Sequence, residues 1–370
     1  PQSGTSGSVY HDSVTQSAPA TRAGFEVNGL PPAMGAPYAE PCRSDGTAFY
    51  GGDVGTLVGN PRQYKASVIE IDAELNKVGW HFSQQRLLVL DGDVEATLSG
   101  ERAPEPFVMR ANVDDCVDYD HTNLVPNVYQ LDDFQVKTPT DVIGQHIHLV
   151  KFDVTAADGA ANGWNYEDGT FGPDEVAERI AALTAEVGED PACPSCEGQW
   201  NGSPLGPAGP RTTRQRWYID PTLNNEGVER GLGNVFTHDH YGPSTHQQVG
   251  LYATLLTEPQ GSTWRDPETG VVMGSRQDGG PTSWRADIIP NDDEAFREFY
   301  LEFGDFQLAY RDDALEDPVN PPGRAEVGLP FIIERQCPPP FPADGPCPEA
   351  ISAEDPGTFV VNYRNEPIAH

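Results

Sequence analysis

Hydrophobic and polar positions alternate along this chain in short runs. From Tyr64 onward such runs cover residues 67–71, 86–90, 94–98, 107–113 and 116–119. A period of two places every second side chain on one buried sheet face, so these runs predict strands. Strand patterns return at 212–219, and again from Val235 through 251–256. Only one segment carries a convincing helical period: over 173–187, Val176, Ile180, Leu183 and Val187 share a face, Pro173 suits the first turn and Gly188 the stop. The 35 prolines and 38 glycines suit short strands joined by irregular loops. The fold class expected is mostly β, a sandwich with a helical insertion.

The same pattern divides the chain. Residues 1–60, rich in Gly, Ser, Pro and Ala, read as an extended arm, and 61–262 as a sandwich domain interrupted by the insertion 155–210. Residues 263–290 read as a linker. Within 291–370, alternation of Phe299, Leu301 and Phe303 and a run at 358–363 read as part of a second domain, too short to be complete. The chain begins Pro1-Gln2 and ends soon after a strand-like run, as a processed or partial polypeptide would.

Charge narrows the functional classes. With 57 acidic against 23 basic residues, the formal net charge of −34 repels phosphates, so nucleic acid and anionic membrane surfaces are excluded as partners. Such a field concentrates cations and favours solubility. No run of 18 apolar residues exists, so no membrane span is expected. Six cysteines form an even set: Cys193 with Cys196 and Cys337 with Cys347 would staple two Pro-rich loops, and a third bridge between Cys42 and Cys116 would fit an oxidising compartment.

The candidate chemistry lies in the histidines. Five of the nine fall in two clusters, His146-Ile-His148 and His238-Asp-His240 with His246 following. Residues i and i+2 of a strand point the same way, so each His-x-His offers two imidazoles to one face, and two such strands side by side would offer four nitrogens. Neutral imidazole serves copper, zinc, iron or nickel alike. A zinc hydrolase of the His-Glu-x-x-His type is disfavoured because no Glu stands in that arrangement.

These segments resemble, in order, the first two copper motifs of the multicopper oxidase family. Asn123-Leu-Val-Pro126 followed by His146-Ile-His148 is similar to the family's first motif. Thr237-His-Asp-His-Tyr241, Gln247-Gln248 and Gly250-Leu-Tyr-Ala-Thr-Leu-Leu-Thr-Glu-Pro259 are similar to its second. The likeness covers about residues 64–260. Asp239 departs from the usual Ser, the insertion is unusual for small laccase-like members, and His246 is extra. His238-Asp-His240 can also be read as a His-Cys-His motif that has lost its thiolate, but the Gly-Leu-Tyr that follows favours the first reading.

The resemblance implies a cupredoxin-like Greek-key sandwich and the start of a second cupredoxin domain. It implies copper as cofactor, with His146 as a type 2 ligand and His148, His238 and His240 as type 3 ligands. Asp239 and His246 are candidates for the layer behind these ligands, and His81 and His121 are expected to be structural or solvent-facing. The chain would then be part of an oxidoreductase that reduces dioxygen to water, inactive alone. Another cupredoxin domain or chain would supply the remaining copper ligands, and a small reducing substrate or metal ion would be oxidised at a type 1 copper elsewhere. Manganese oxidation and an extracellular or periplasmic location belong to that expectation. The competing expectation is a non-catalytic cupredoxin module that binds metal or builds an extracellular assembly.

Overall fold

The computed structural model describes residues 38–42, 48–49, 58–77, 79–126, 142–154, 157–160, 169–174, 178, 211–229, 231–242, 246–247, 249–291, 294–304, 309–311, 318–320, 323–324, 329–330 and 360–361. Its strands begin with the short pair β1 (Tyr38–Ala39) and β2 (Ala48–Phe49), followed by β3 (Asn60–Glu74) and β4 (His81–Leu90). After the helix α1 (Val94–Leu98) come β5 (Val108–Asn112), β6 (Asp115–Asn123), β7 (Val142–Ile143), β8 (Gln145–Ile147) and β9 (Thr170–Phe171). The chain continues through β10 (Thr212–Tyr218), β11 (Gly233–Asp239), β12 (Tyr252–Glu258), β13 (Thr263–Arg265), β14 (Arg285–Ile289) and β15 (Phe296–Phe299). Three short strands follow, β16 (Phe303–Gly304), β17 (Ala309–Tyr310) and β18 (Pro318–Asn320).

Two sheets carry the architecture. The first has the order β10-β6-β3-β4-β17-β18 and the second β5-β12-β11-β8. Each contains one parallel pair, β3 with β6 and β5 with β12, so the chain crosses between sheets instead of winding as a simple meander. Their inner faces meet in one core. Tyr64, Ala66 and Val68 of β3, Val117 and Tyr119 of β6, and Trp217 of β10 pack against Met109, Ile147, Val235, Ala253 and Leu255 from the opposite sheet. This is the mostly β sandwich that the alternation predicts, because inward-facing side chains at every second position of both sheets must be buried against each other.

Several local expectations change. Residues 94–98, expected as a strand, form α1, in which Thr97 is the buried residue and its hydroxyl donates to the Asp93 carbonyl at 2.8 Å. Residues 263–290, expected as a linker, carry β13 and β14, which pair with β15 and bury Trp264, Ala286 and Ile288. Their Gly and Pro content belongs to the turns between short strands. This small sheet is fastened to the second sheet through Arg110, which donates to Glu258 and Glu298 at 3.1 and 2.8 Å and to the Ser283 carbonyl. Within 291–370, expected as part of a second domain, β17 pairs with β4 through Tyr310 and His81 at the edge of the first sheet.

One disulfide joins Cys42 to Cys116 across 74 residues of sequence. Beside it the buried Glu40 accepts from Arg216 at 2.6 Å, so the segment before β2 is held to the first sheet by a covalent bond and an ion pair. Cys193, Cys196, Cys337 and Cys347 lie outside the described residues. So does most of 173–187, of which Pro173, Asp174 and Glu178 are helical. No helix among the described residues is long and apolar enough to cross a membrane.

Candidate metal centre

Strands β8 and β11 are antiparallel neighbours, with His146 directly opposite His238. Strand alternation sends Gln145 and Ile147 of β8, and Val235, Thr237 and Asp239 of β11, to the buried side, leaving the histidines on the other face. His148 and His240 follow each strand by one residue and are still held in register: the His148 amide donates to the Phe236 carbonyl at 3.1 Å and the His240 amide to the Gly144 carbonyl at 2.9 Å. The structure therefore gathers all four imidazoles. Ring centroids of His146 lie 4.9 Å from His148, 5.4 Å from His238 and 4.4 Å from His240.

Three of the four rings, His146, His238 and His240, are engaged from behind at Nδ1, which leaves Nε2 as the other ring nitrogen of each. His146 Nδ1 lies 2.9 Å from the Asp158 carbonyl and 3.3 Å from its carboxylate, and His240 Nδ1 lies 3.1 and 3.0 Å from the same two groups. His238 Nδ1 meets the Asp239 carbonyl at 2.7 Å, a carbonyl to which the Gln247 side-chain amide also donates at 3.4 Å. An Nδ1–H donated to oxygen fixes the tautomer and leaves the Nε2 lone pair for a metal. The Nε2 atoms of His148 and His238 are 2.9 Å apart. Two nitrogens each about 2 Å from one ion and at a right angle to each other stand about 3 Å apart, so the pair has the spacing of two donors to a single metal. Phe236 stacks on His238 and Phe152 meets the edge of His146, giving the cluster an aromatic wall.

Charge supports the same use. Burial, then the neighbouring His240, lowers the His146 imidazole to about 4 against the pull of Asp158. Burial lowers His238 as well. Both rings are neutral at pH 7, the form that ligates. The combinations His146, His148 and His238, and His146, Asp158 and His240, each bring three potential ligand atoms within 4.8 Å of one another. In the first, His148 and His238 meet through Nε2, and in the second Asp158 meets the Nδ1 side of His146 and His240.

Asp239 and His246 lie on the inner side of β11. The Asp239 carboxylate is bonded to none of the four imidazoles. It accepts instead from the amides of Gly144 and Gly242 and from His246 Nδ1, all at 2.8–2.9 Å. Burial pushes its carboxyl upward, but His246 and the three hydrogen bonds outweigh this and hold it below the usual range. His246 is completely buried, and its Nε2 has no hydrogen-bond partner among the described residues. His121 is also completely buried, with Nδ1 3.1 Å from the Tyr119 hydroxyl, and burial lowers it to about 4. His81 is buried at 7% exposure and bonded to Asp72, so it is structural.

Asp158 escaped the sequence reading. It lies in the segment expected as an insertion, among 57 acidic residues, and no spacing rule marks it. A signal does exist in two glycines. A Cβ on Gly144 would fall 1.8 Å from the Gly159 carbonyl oxygen, and Gly159 has φ +81°. Only a pair of glycines lets the loop bearing Asp158 press on the residue that precedes β8.

No family model matches the sequence, and no curated protein is similar to it. Among solved structures, the fold is similar to a multi-copper oxidase from Pseudomonas Thermotolerans at 10% identity and TM-score 0.29, covering 55% of this chain and 30% of that one. A copper nitrite reductase from Nitrosomonas europaea gives 13% identity and TM-score 0.29, with 55% and 43% covered. A laccase from Pediococcus acidilactici Pa5930 gives 10% and 0.27, with 63% and 32% covered. The matched region thus spans less than half the length of each of these proteins.

Proposed function

We propose that the chain supplies half of a trinuclear copper cluster of an oxidoreductase of the multicopper oxidase type. The observation that carries this reading is the meeting of two His-x-His segments on register-paired strands, with three of the four imidazoles held from behind at Nδ1. His148 and His238, with Nε2 atoms 2.9 Å apart, would share one type 3 copper. His240 would serve the other, and His146 the type 2 copper. Bound copper would supply the reduction of dioxygen to water, with a small reducing substrate or metal ion, Mn(II) included, oxidised at a type 1 site on another cupredoxin domain or chain. Within this chain, Asp158 holds the Nδ1 protons of His146 and His240, and Phe236 and Phe152 exclude water from one side. The Cys42–Cys116 disulfide supports an extracellular or periplasmic setting.

Cu(II) titration of the full chain, followed by electron paramagnetic resonance, tests the reading. Imidazole-nitrogen couplings that disappear in the His148→Ala, His238→Ala double variant are expected, without oxygen uptake by the chain alone. Copper that binds elsewhere, leaving the double variant unchanged, would overturn it. If the native assembly carries copper at these histidines but consumes no oxygen with any reductant, the non-catalytic module is the correct reading.

A further inference from the structure

Asp239 stands between two of the proposed ligands but faces the opposite way, and at 1% exposure it is an ionisable group inside the sandwich. Its hydrogen bonds explain the placement. Oδ1 accepts from the amide of Gly144, the residue before β8, and Oδ2 from the amide of Gly242, two residues after His240. The return contact is made by the next residue, since the His240 amide donates to the Gly144 carbonyl. Both polar groups of the Gly144 backbone are therefore held by the end of β11. The third donor, His246, is seated by its own backbone: its amide donates to the Gly242 carbonyl at 2.7 Å, and its carbonyl accepts from Leu251 at 3.0 Å. A Cβ on Gly242 would lie 3.1 Å from the His246 ring, so loop and ring are in close contact.

We infer that Asp239, seated by His246, is a positioning residue that fixes the two His-x-His segments against each other, so that the four imidazoles are gathered before any metal arrives. The consequence for copper rests on the function proposed above; the lock itself does not. The chemistry requires a carboxylate. Three N–H groups converge on its two oxygens, and a buried N–H without an acceptor is costly. An asparagine must turn its own NH₂ against Gly144 in one orientation, or against Gly242 in the other. Alanine would leave all three donors unanswered, and a serine has one oxygen where the carboxylate has two.

The test compares Asp239→Asn with Val68→Ala, a core truncation in the first sheet chosen as a control for lost stability. Amide hydrogen exchange is measured on the metal-free full chain at temperatures that equalise the stability of the two variants. Asp239→Asn is expected to speed exchange at Gly144, Gly242 and His240 by roughly tenfold or more over the control, and His246→Asn, which keeps a donor, by less than His246→Ala. Copper affinity should fall roughly tenfold in Asp239→Asn and stay unchanged in the control. Equal exchange at those three amides in the two variants would overturn the lock. If the wild-type chain takes up no copper, the metal-centre reading fails, and the exchange comparison still decides the positioning role.

Discussion

The second sheet carries two polar clusters on its outer face, and they are built on opposite terms. At β5 and β12, Arg110 lies completely buried against Glu258 and Glu298, its charge met by carboxylates of its own chain. Burial and the neighbouring Glu298 push the Glu258 carboxyl up to about 7 against the pull of Arg110, so near neutrality the two carboxyls and one guanidinium come close to electrical balance. At β8 and β11 four imidazoles are crowded together, and no cation or carboxylate of the chain stands on their Nε2 side among the described residues. The first cluster spends its polar groups on holding β13–β15 to the sheet. The second binds three of its four Nδ1 atoms and keeps its Nε2 atoms for a ligand. That difference separates a structural polar cluster from a candidate metal centre.

The comparison can be broken at either end. The largest effect is expected for Arg110→Ala, which strands the buried Glu258 and the partly exposed Glu298: about 3 kcal/mol of stability should be lost in denaturant unfolding, with copper binding per folded molecule unchanged. His238→Ala should do the reverse, lowering copper affinity roughly a hundredfold in a titration while leaving the unfolding midpoint nearly in place. Asp158→Ala frees two rings without removing a ligand, and a loss of about tenfold in copper affinity is expected from the same titration. The smallest effect is on pH dependence. His121 is held near 4 by burial, below its unfolded value of 6.5, so the unfolded state binds the extra proton first and stability falls as pH drops between these values. About 1 kcal/mol should be lost between pH 7 and 5.5 through this residue. The slope of stability against pH in that window should flatten in His121→Gln.

The sequence exposed the sandwich and the histidine pairs for the same reason: a period of two is visible in one dimension, and a His-x-His on a strand has one geometric outcome. It concealed what depends on contacts between distant segments. The helix at 94–98 was disguised by a run too short to distinguish its period from alternation. The sheet at 263–299 was disguised by turn residues, although Trp264, Ala286 and Ile288 supply its core. Asp158 became meaningful only when Gly144 and Gly159 met. Asp239 was suspected from its place between two histidines, but its direction, inward to His246 and two glycine amides, follows from the register of β8 with β11.

Metal analysis with electron paramagnetic resonance on the native assembly that contains this chain tests the central claim most directly. The account predicts about four coppers per assembly, with type 1 and type 2 signals and imidazole nitrogens among the ligands. Zinc alone, or no copper at all, would contradict it.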